Sequence, residues 1–202
     1  MNFGHSFEKN KHCERPYDKF YGDRWTYTAI RSTTKLLIAH HSGKRTDETC
    51  NQFVSLFASR LRTPEPPARI TIATDGNPQY LTALLKHLPK SDIDYGRMIK
   101  QHKENRVVAV LREKVLGNST LASISTSVVE EYNNKIRQRI SRFARKTASF
   151  SKTIIGHIRA MDLFQFASNF IDARRGRTPA MREGITDRVW NWQEFLTYHF
   201  QL

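Results

Sequence analysis

The run Arg69-Ile70-Thr71-Ile72-Ala73-Thr74 is cut off by Asp75-Gly76, and Pro78 then opens a stretch carrying Tyr80, Leu81, Leu84, Leu85 and Leu88 before Pro89. β-Branched residues bounded by an acid and a glycine read as a short strand and its end. Proline suits the first turn of a helix, and leucines three and four apart give that helix one apolar face. Strand, acid, helix in this order points to an α/β fold with an acidic group at the rim of a sheet.

The rest of the chain extends the pattern. Arg24 to Ile30 alternates bulky and polar residues, and Lys35 to His41 is rich in Leu, Ile and Ala, which predicts two strands joined by a short turn. Thr46 with Asp47 and Glu48 forms a helix start, with a capping hydroxyl and two acids at the positive dipole end, and the helix should run to about Leu61. Thr63 to Pro67 is a proline-rich connector, and Asp92 to Met98 returns to the sheet. Lys100 to Thr126 is weakly patterned, with Val107 to Val110 as a short strand. Apolar residues at 129, 132, 136, 140 and 143 predict one amphipathic helix over Val128 to Phe150. A further helix covers Thr153 to Phe170, and the tail ends in a Trp190, Trp192 and Phe195 cluster. Met1 to Gly22 is polar and shows no clear period.

The 202 residues suffice for one domain with a real core, and a 39% apolar content with twelve Phe, seven Tyr and three Trp excludes a disordered chain. Thirty-three Lys and Arg against nineteen Asp and Glu give a net charge of +14, which calls for a polyanionic partner. No stretch approaches the roughly 18 apolar residues of a membrane span, so nucleic acid is preferred to a membrane. Cys13 and Cys50 are isolated and are expected to be reduced thiols in a cytoplasmic protein.

Two carboxylates draw attention. Asp75 ends a strand and Glu130 lies near a helix start, so both can reach one point at the sheet rim, where oxygen ligands suit Mg²⁺, with Mn²⁺ as an alternative. An Asp before Gly is equally a common turn, and a Glu in a first turn equally complements the helix dipole. Spacing leaves both readings open. Asn134 and Arg137 follow Glu130 on one helical stripe. Between Glu131 and Ala160 stand Lys135, Arg137, Arg139, Arg142, Arg145, Lys146, Lys152 and Arg159 with no acid among them. A solvated face would mix signs, so this run is expected to meet the backbone of duplex DNA through Asn134, Arg137, Arg139, Arg142, Arg145 and Lys146. His40-His41 is not a metal pair, because neighbours on a strand point to opposite faces.

The segment from Glu130-Glu131-Tyr132-Asn133-Asn134-Lys135-Ile136-Arg137 through Arg145-Lys146 to Ser151-Lys152 closely resembles the final catalytic block of the insertion-sequence-1 transposase family. Gly22 to Ile30, Lys35 to His41, Gly43 to Thr46, Thr74-Asp75-Gly76 and Arg177 to Trp190 resemble the same family in the same order. The resemblance implies a ribonuclease H-like mixed sheet flanked by helices, with Asp, Asp and Glu binding Mg²⁺ for donor-strand cleavage and strand transfer. Asp75 matches the second acid and Glu130 the third.

Matching Ser6-Phe7 to the family's opening block puts Asn2 where the first acid belongs. Asn is neutral and a poorer Mg²⁺ ligand than carboxylate, so impaired catalysis is expected. The family's N-terminal end-recognition portion has no counterpart here. The expected organisation is a catalytic domain over residues 1–172 with a helical tail over 173–202, in a nucleoid-associated protein able to form a homo-oligomer. Two other readings stand beside it: a non-catalytic DNA-binding remnant, and a structural nuclease-fold protein that binds RNA or a protein partner.

Overall fold

The computed structural model describes residues 24–104, 106–144 and 148–198. The described chain is a mixed α/β protein in two compact units, one formed by residues 43–131 and the other by residues 24–42 with 132–198.

The unit of residues 43–131 holds a three-stranded sheet, order β3-β4-β5, made of β3 (Ile70–Asp75), β4 (Ile93–Lys103) and β5 (Arg106–Leu116). β3 and β4 are parallel, with Asp75 opposite Met98. Parallel neighbours need a crossover, which α2 (Gln79–His87) supplies. Pro78 stands at its start with φ −66, and Lys86 and His87 lie at its negative end. α1 (Asp47–Ser59) begins as expected, Thr46 Oγ1 accepting from Thr49 N at 3.2 Å. Cys50, Phe53, Val54 and Phe57 are buried on one face. Phe53 meets Tyr80 of α2 edge to face, and Asn51 bonds His87 at 2.8 Å.

Residues 100–126 depart from expectation. β5 runs antiparallel to β4 as a long hairpin, so the strand begins at Arg106 and extends well beyond Val110, to Leu116. All of residues 106–112 are exposed. A strand wet on both faces has no alternation of apolar and polar residues to betray it.

Below the hairpin, Arg69 Nε donates to Asp94 Oδ1 at 2.7 Å, and Asn118 N donates to the same oxygen at 2.9 Å. Asn118's amide and then Arg69 outweigh the opposing effect of burial and hold the Asp94 carboxyl below its usual range. A depressed native pKa contributes stability above the unfolded-state value and loses it as pH falls through the native value. Asp94→Asn should therefore be less stable than the wild type at neutral pH, with the gap closing below about pH 4. Urea denaturation followed across pH checks this, and a gap that is constant with pH would refute it.

In the other unit, β1 (Trp25–Ile30) pairs with β2 (Leu37–Gly43). A connection of residues 31–36 allows only antiparallel pairing. Its core joins Leu37 to Tyr132 and Ile136 of α3 (Ser127–Arg139), to Phe143, and to Met161 and Phe164 of α4 (Ile154–Phe166). Phe143 stacks on His157 with centroids 4.2 Å apart. Buried His157 is held at Nε2 by Thr26 (3.1 Å) and at Nδ1 by Ser151 (2.9 Å).

The expected helix over Val128 to Phe150 is cut short. It stops at Arg139 and gives way to a single 3-10 turn at Ser141–Phe143. Ile140 leaves the helix at φ −117, ψ 99, and the chain turns so that Phe143 reaches the core. α4 ends in a π-helical turn, Ala167–Ile171. The tail adds α5 (Pro179–Arg182) and α6 (Trp192–Thr197), the latter closed by a capping box between Asn191 and Glu194. Phe166 of α4 stacks on Phe195, with Trp190 edge-on to it.

Candidate functional site

Asp75 is the last residue of β3 and lies opposite Met98 on β4. Partners in a parallel ladder share a face, and side chains along a strand alternate, so Asp75, Met98 and Lys100 all project from one side. The opposite side is marked by Thr74, whose hydroxyl meets Tyr95 Oη at 2.8 Å, and by Gly76, which faces the Ile99 side chain. Neighbouring strands lie about 4.8 Å apart and each residue advances about 3.3 Å, so the Cα atoms of Asp75 and Lys100 are roughly 8 Å apart.

Glu130 meets the same face. Its Oε1 accepts Lys100 Nζ at 2.5 Å and Thr126 Oγ1 at 2.6 Å, and Glu130 N closes the first helical turn onto Thr126 O at 3.0 Å. Partial burial would raise the Glu130 carboxyl, but the bonds from Lys100 and Thr126 prevail and lower it. Ile124 brings the segment close to the sheet: it is fully buried, against Gly96 of β4.

By strand register Asp75 shares a sheet face with Lys100, but of the two acids singled out from the sequence only Glu130 is in contact with Lys100. Asp75 is exposed, and its Oδ1 accepts Asn77 N at 3.2 Å. Its charge also reaches the buried Cys50 thiol, which is pushed up to about 11 by burial, then by Asp47 and Asp75. Carboxylate oxygens are the right donors for Mg²⁺. Lys100 already supplies a positive charge to Glu130, and among the described residues no group of three or more His, Cys, Asp or Glu is gathered as a metal cage.

No family model, curated protein or solved structure matches this chain.

The expected DNA-contacting residues have varied fates. Asn134 and Arg137 share a stripe of α3 and bond each other at 3.1 Å. Arg139 is ion-paired to Asp172, which Lys135 also approaches at 3.0 Å. Arg142 lies off the helix and donates to Gly156 O at 2.8 Å. Arg145, Lys146, Cys13 and Asn2 lie outside the described residues. His40 is buried and pairs with Asp162 at 3.1 Å, in keeping with a structural role.

Sequence reasoning missed Lys100, Thr126 and Gly96. Lys100 stood in a stretch without periodicity, and Gly96 lay inside an expected strand. Only Thr126, four residues before Glu130 at a helix start, carried a local signal.

Proposed function

We propose that this chain derives from the ribonuclease H-like catalytic domain of an insertion-element transposase. On this reading Asp75 and Glu130 are the inherited ligands of Mg²⁺. The observation that supports it best is that Lys100, which shares a sheet face with Asp75 by register, contacts Glu130, 55 positions from Asp75 by their numbers (130 minus 75). The mixed α/β order, with β3 and β4 parallel across α2, is compatible with such a domain. When bound, the metal would supply Lewis-acid activation for phosphoryl displacement. Asp75 and Glu130 would hold it, and Arg137 would contact a backbone phosphate.

One feature favours the non-catalytic reading. Lys100 at 2.5 Å already engages the Glu130 carboxylate, and on the resemblance Asn2 takes the place of the first acid.

Strand cleavage of DNA with Mg²⁺ or Mn²⁺ separates the two. The wild type should cut very weakly, and Asn2→Asp should raise cleavage by on the order of 100-fold by restoring a negative ligand. Asp75→Ala in that background should abolish it, and Lys100→Met should tighten Mn²⁺ binding. Asn2→Asp protein that binds DNA but remains inert would favour the remnant.

A further inference from the structure

Two residues beyond Asp172 the chain makes a turn with no role in the core. Arg174 N donates to Arg177 O at 3.0 Å and Arg177 N to Arg174 O at 3.2 Å, leaving Arg175 and Gly176 as a two-residue loop. Both loop residues have positive φ, 53 and 76, as a type I′ turn requires. Such turns favour Asn-Gly or Gly-Gly, because a side chain with a long stem is strained there. Lys35 and Glu104 also take positive φ in hairpin turns; Lys103 and Arg106 flank Glu104 as opposed cations, but there the strained residue is itself an acid, whereas at Arg175 it is a third cation.

Arg174 and Arg177 stand directly opposite each other, and like charges in that position repel. All three arginines are exposed, and none forms an ion pair among the described residues. The nearest acid in sequence, Asp172, is already taken by Lys135 and Arg139. Arg182 adds a fourth guanidinium, donating to Arg174 O at 3.1 Å. Among the described residues, a Cβ at Gly176 would meet nothing within 4 Å.

The turn therefore carries two local costs, left-handed strain and opposed like charges, and no ion pair among the described residues offsets the charges. Persisting strain of this kind marks places where a ligand repays it. From this geometry we infer that the Arg174–Arg177 turn is a phosphate clamp for the backbone of duplex DNA, distinct from the α3 stripe. Guanidinium forks match phosphate oxygens in pairs, and an anion between Arg174 and Arg177 turns their repulsion into attraction. The inference shares its partner with the proposed function but assigns a different surface.

The test variant is Arg174→Thr/Arg175→Asn/Arg177→Thr, which installs the preferred turn residue and a favourable cross-strand pair. Its melting temperature should rise above that of the wild type. Its affinity for a labelled DNA duplex should fall on the order of 10- to 100-fold, with the slope of log affinity against log salt reduced by about 3. A structural role predicts the reverse, a lower melting temperature and unchanged binding, and that result overturns the clamp while leaving the DNA reading intact. Wild-type protein that binds no DNA overturns both. Tighter binding of duplex RNA than of DNA, or competition by polyglutamate as strong as that by DNA, overturns the assignment to DNA.

Discussion

Gly96→Val should lower stability by about 2–4 kcal/mol and take the Lys100–Glu130 ion pair with it. A Cβ at position 96 would lie 2.4 Å from both Cγ1 and Cδ1 of Ile124 and 3.2 Å from Glu113 O. Ile124 has no exposed surface into which it could retreat, so either the side chain leaves its site or the strand bends. Displacing it moves Thr126, two residues on, whose hydroxyl lies 2.6 Å from the Glu130 carboxylate. Thermal melting should drop by roughly 6–12 °C, and the Lys100 ammonium should lose its restrained environment in NMR spectra. Combining Gly96→Ala with Ile124→Ala should recover part of the loss, because the second change makes room for the first. Gly96→Val melting with the wild type would show that the close approach does not exist.

Legibility from sequence followed burial. α1 and α2 carried capping and dipole signals with one apolar face each, and both were readable nearly to their ends. β3 was readable because its β-branched run stops at Asp75-Gly76. β5 was not, since residues 106–112 are exposed on both faces and carry no period of two. The break after Arg139 was hidden for a different reason. Ile140 and Phe143 keep helical spacing in the sequence although Phe143 reaches the core from a 3-10 turn. At the site, acids beside a strand end and a helix start could be found by type and position. Their counter-cation could not, because Lys100 acquires meaning only through the register that sets Met98 against Asp75. The basic run was legible as charge but not as available charge: Lys135 and Arg139 share Asp172, and Arg142 serves a backbone carbonyl.

Asn169→Leu should cost about 2–4 kcal/mol, although nothing in the sequence marks this residue. Its side chain imitates a neighbouring strand: Oδ1 accepts Leu37 N at 2.9 Å, and Nδ2 donates to Leu37 O at 2.9 Å. The π-helical turn at Ala167–Ile171 carries the amide that meets the first residue of β2. Leucine keeps the branched shape but orphans the Leu37 N–H in a buried setting. The Leu37 carbonyl keeps Gln165 Nε2 at 2.7 Å, so the loss falls mainly on the donor. Asn169→Asp separates the two bonds. An ionised Asp still accepts from Leu37 N but sets a negative oxygen against Leu37 O, whereas a protonated Asp restores both bonds. Its native pKa must then exceed its unfolded value, so the variant regains stability as pH falls through that native pKa. Urea midpoints for wild type, Asn169→Leu and Asn169→Asp from neutral to acid pH measure this. Since acid titrates the rest of the protein as well, the decisive quantity is the gap between Asn169→Asp and Asn169→Leu. A gap that fails to widen in favour of Asp as pH falls would mean that the side chain does not bridge Leu37 as a strand would.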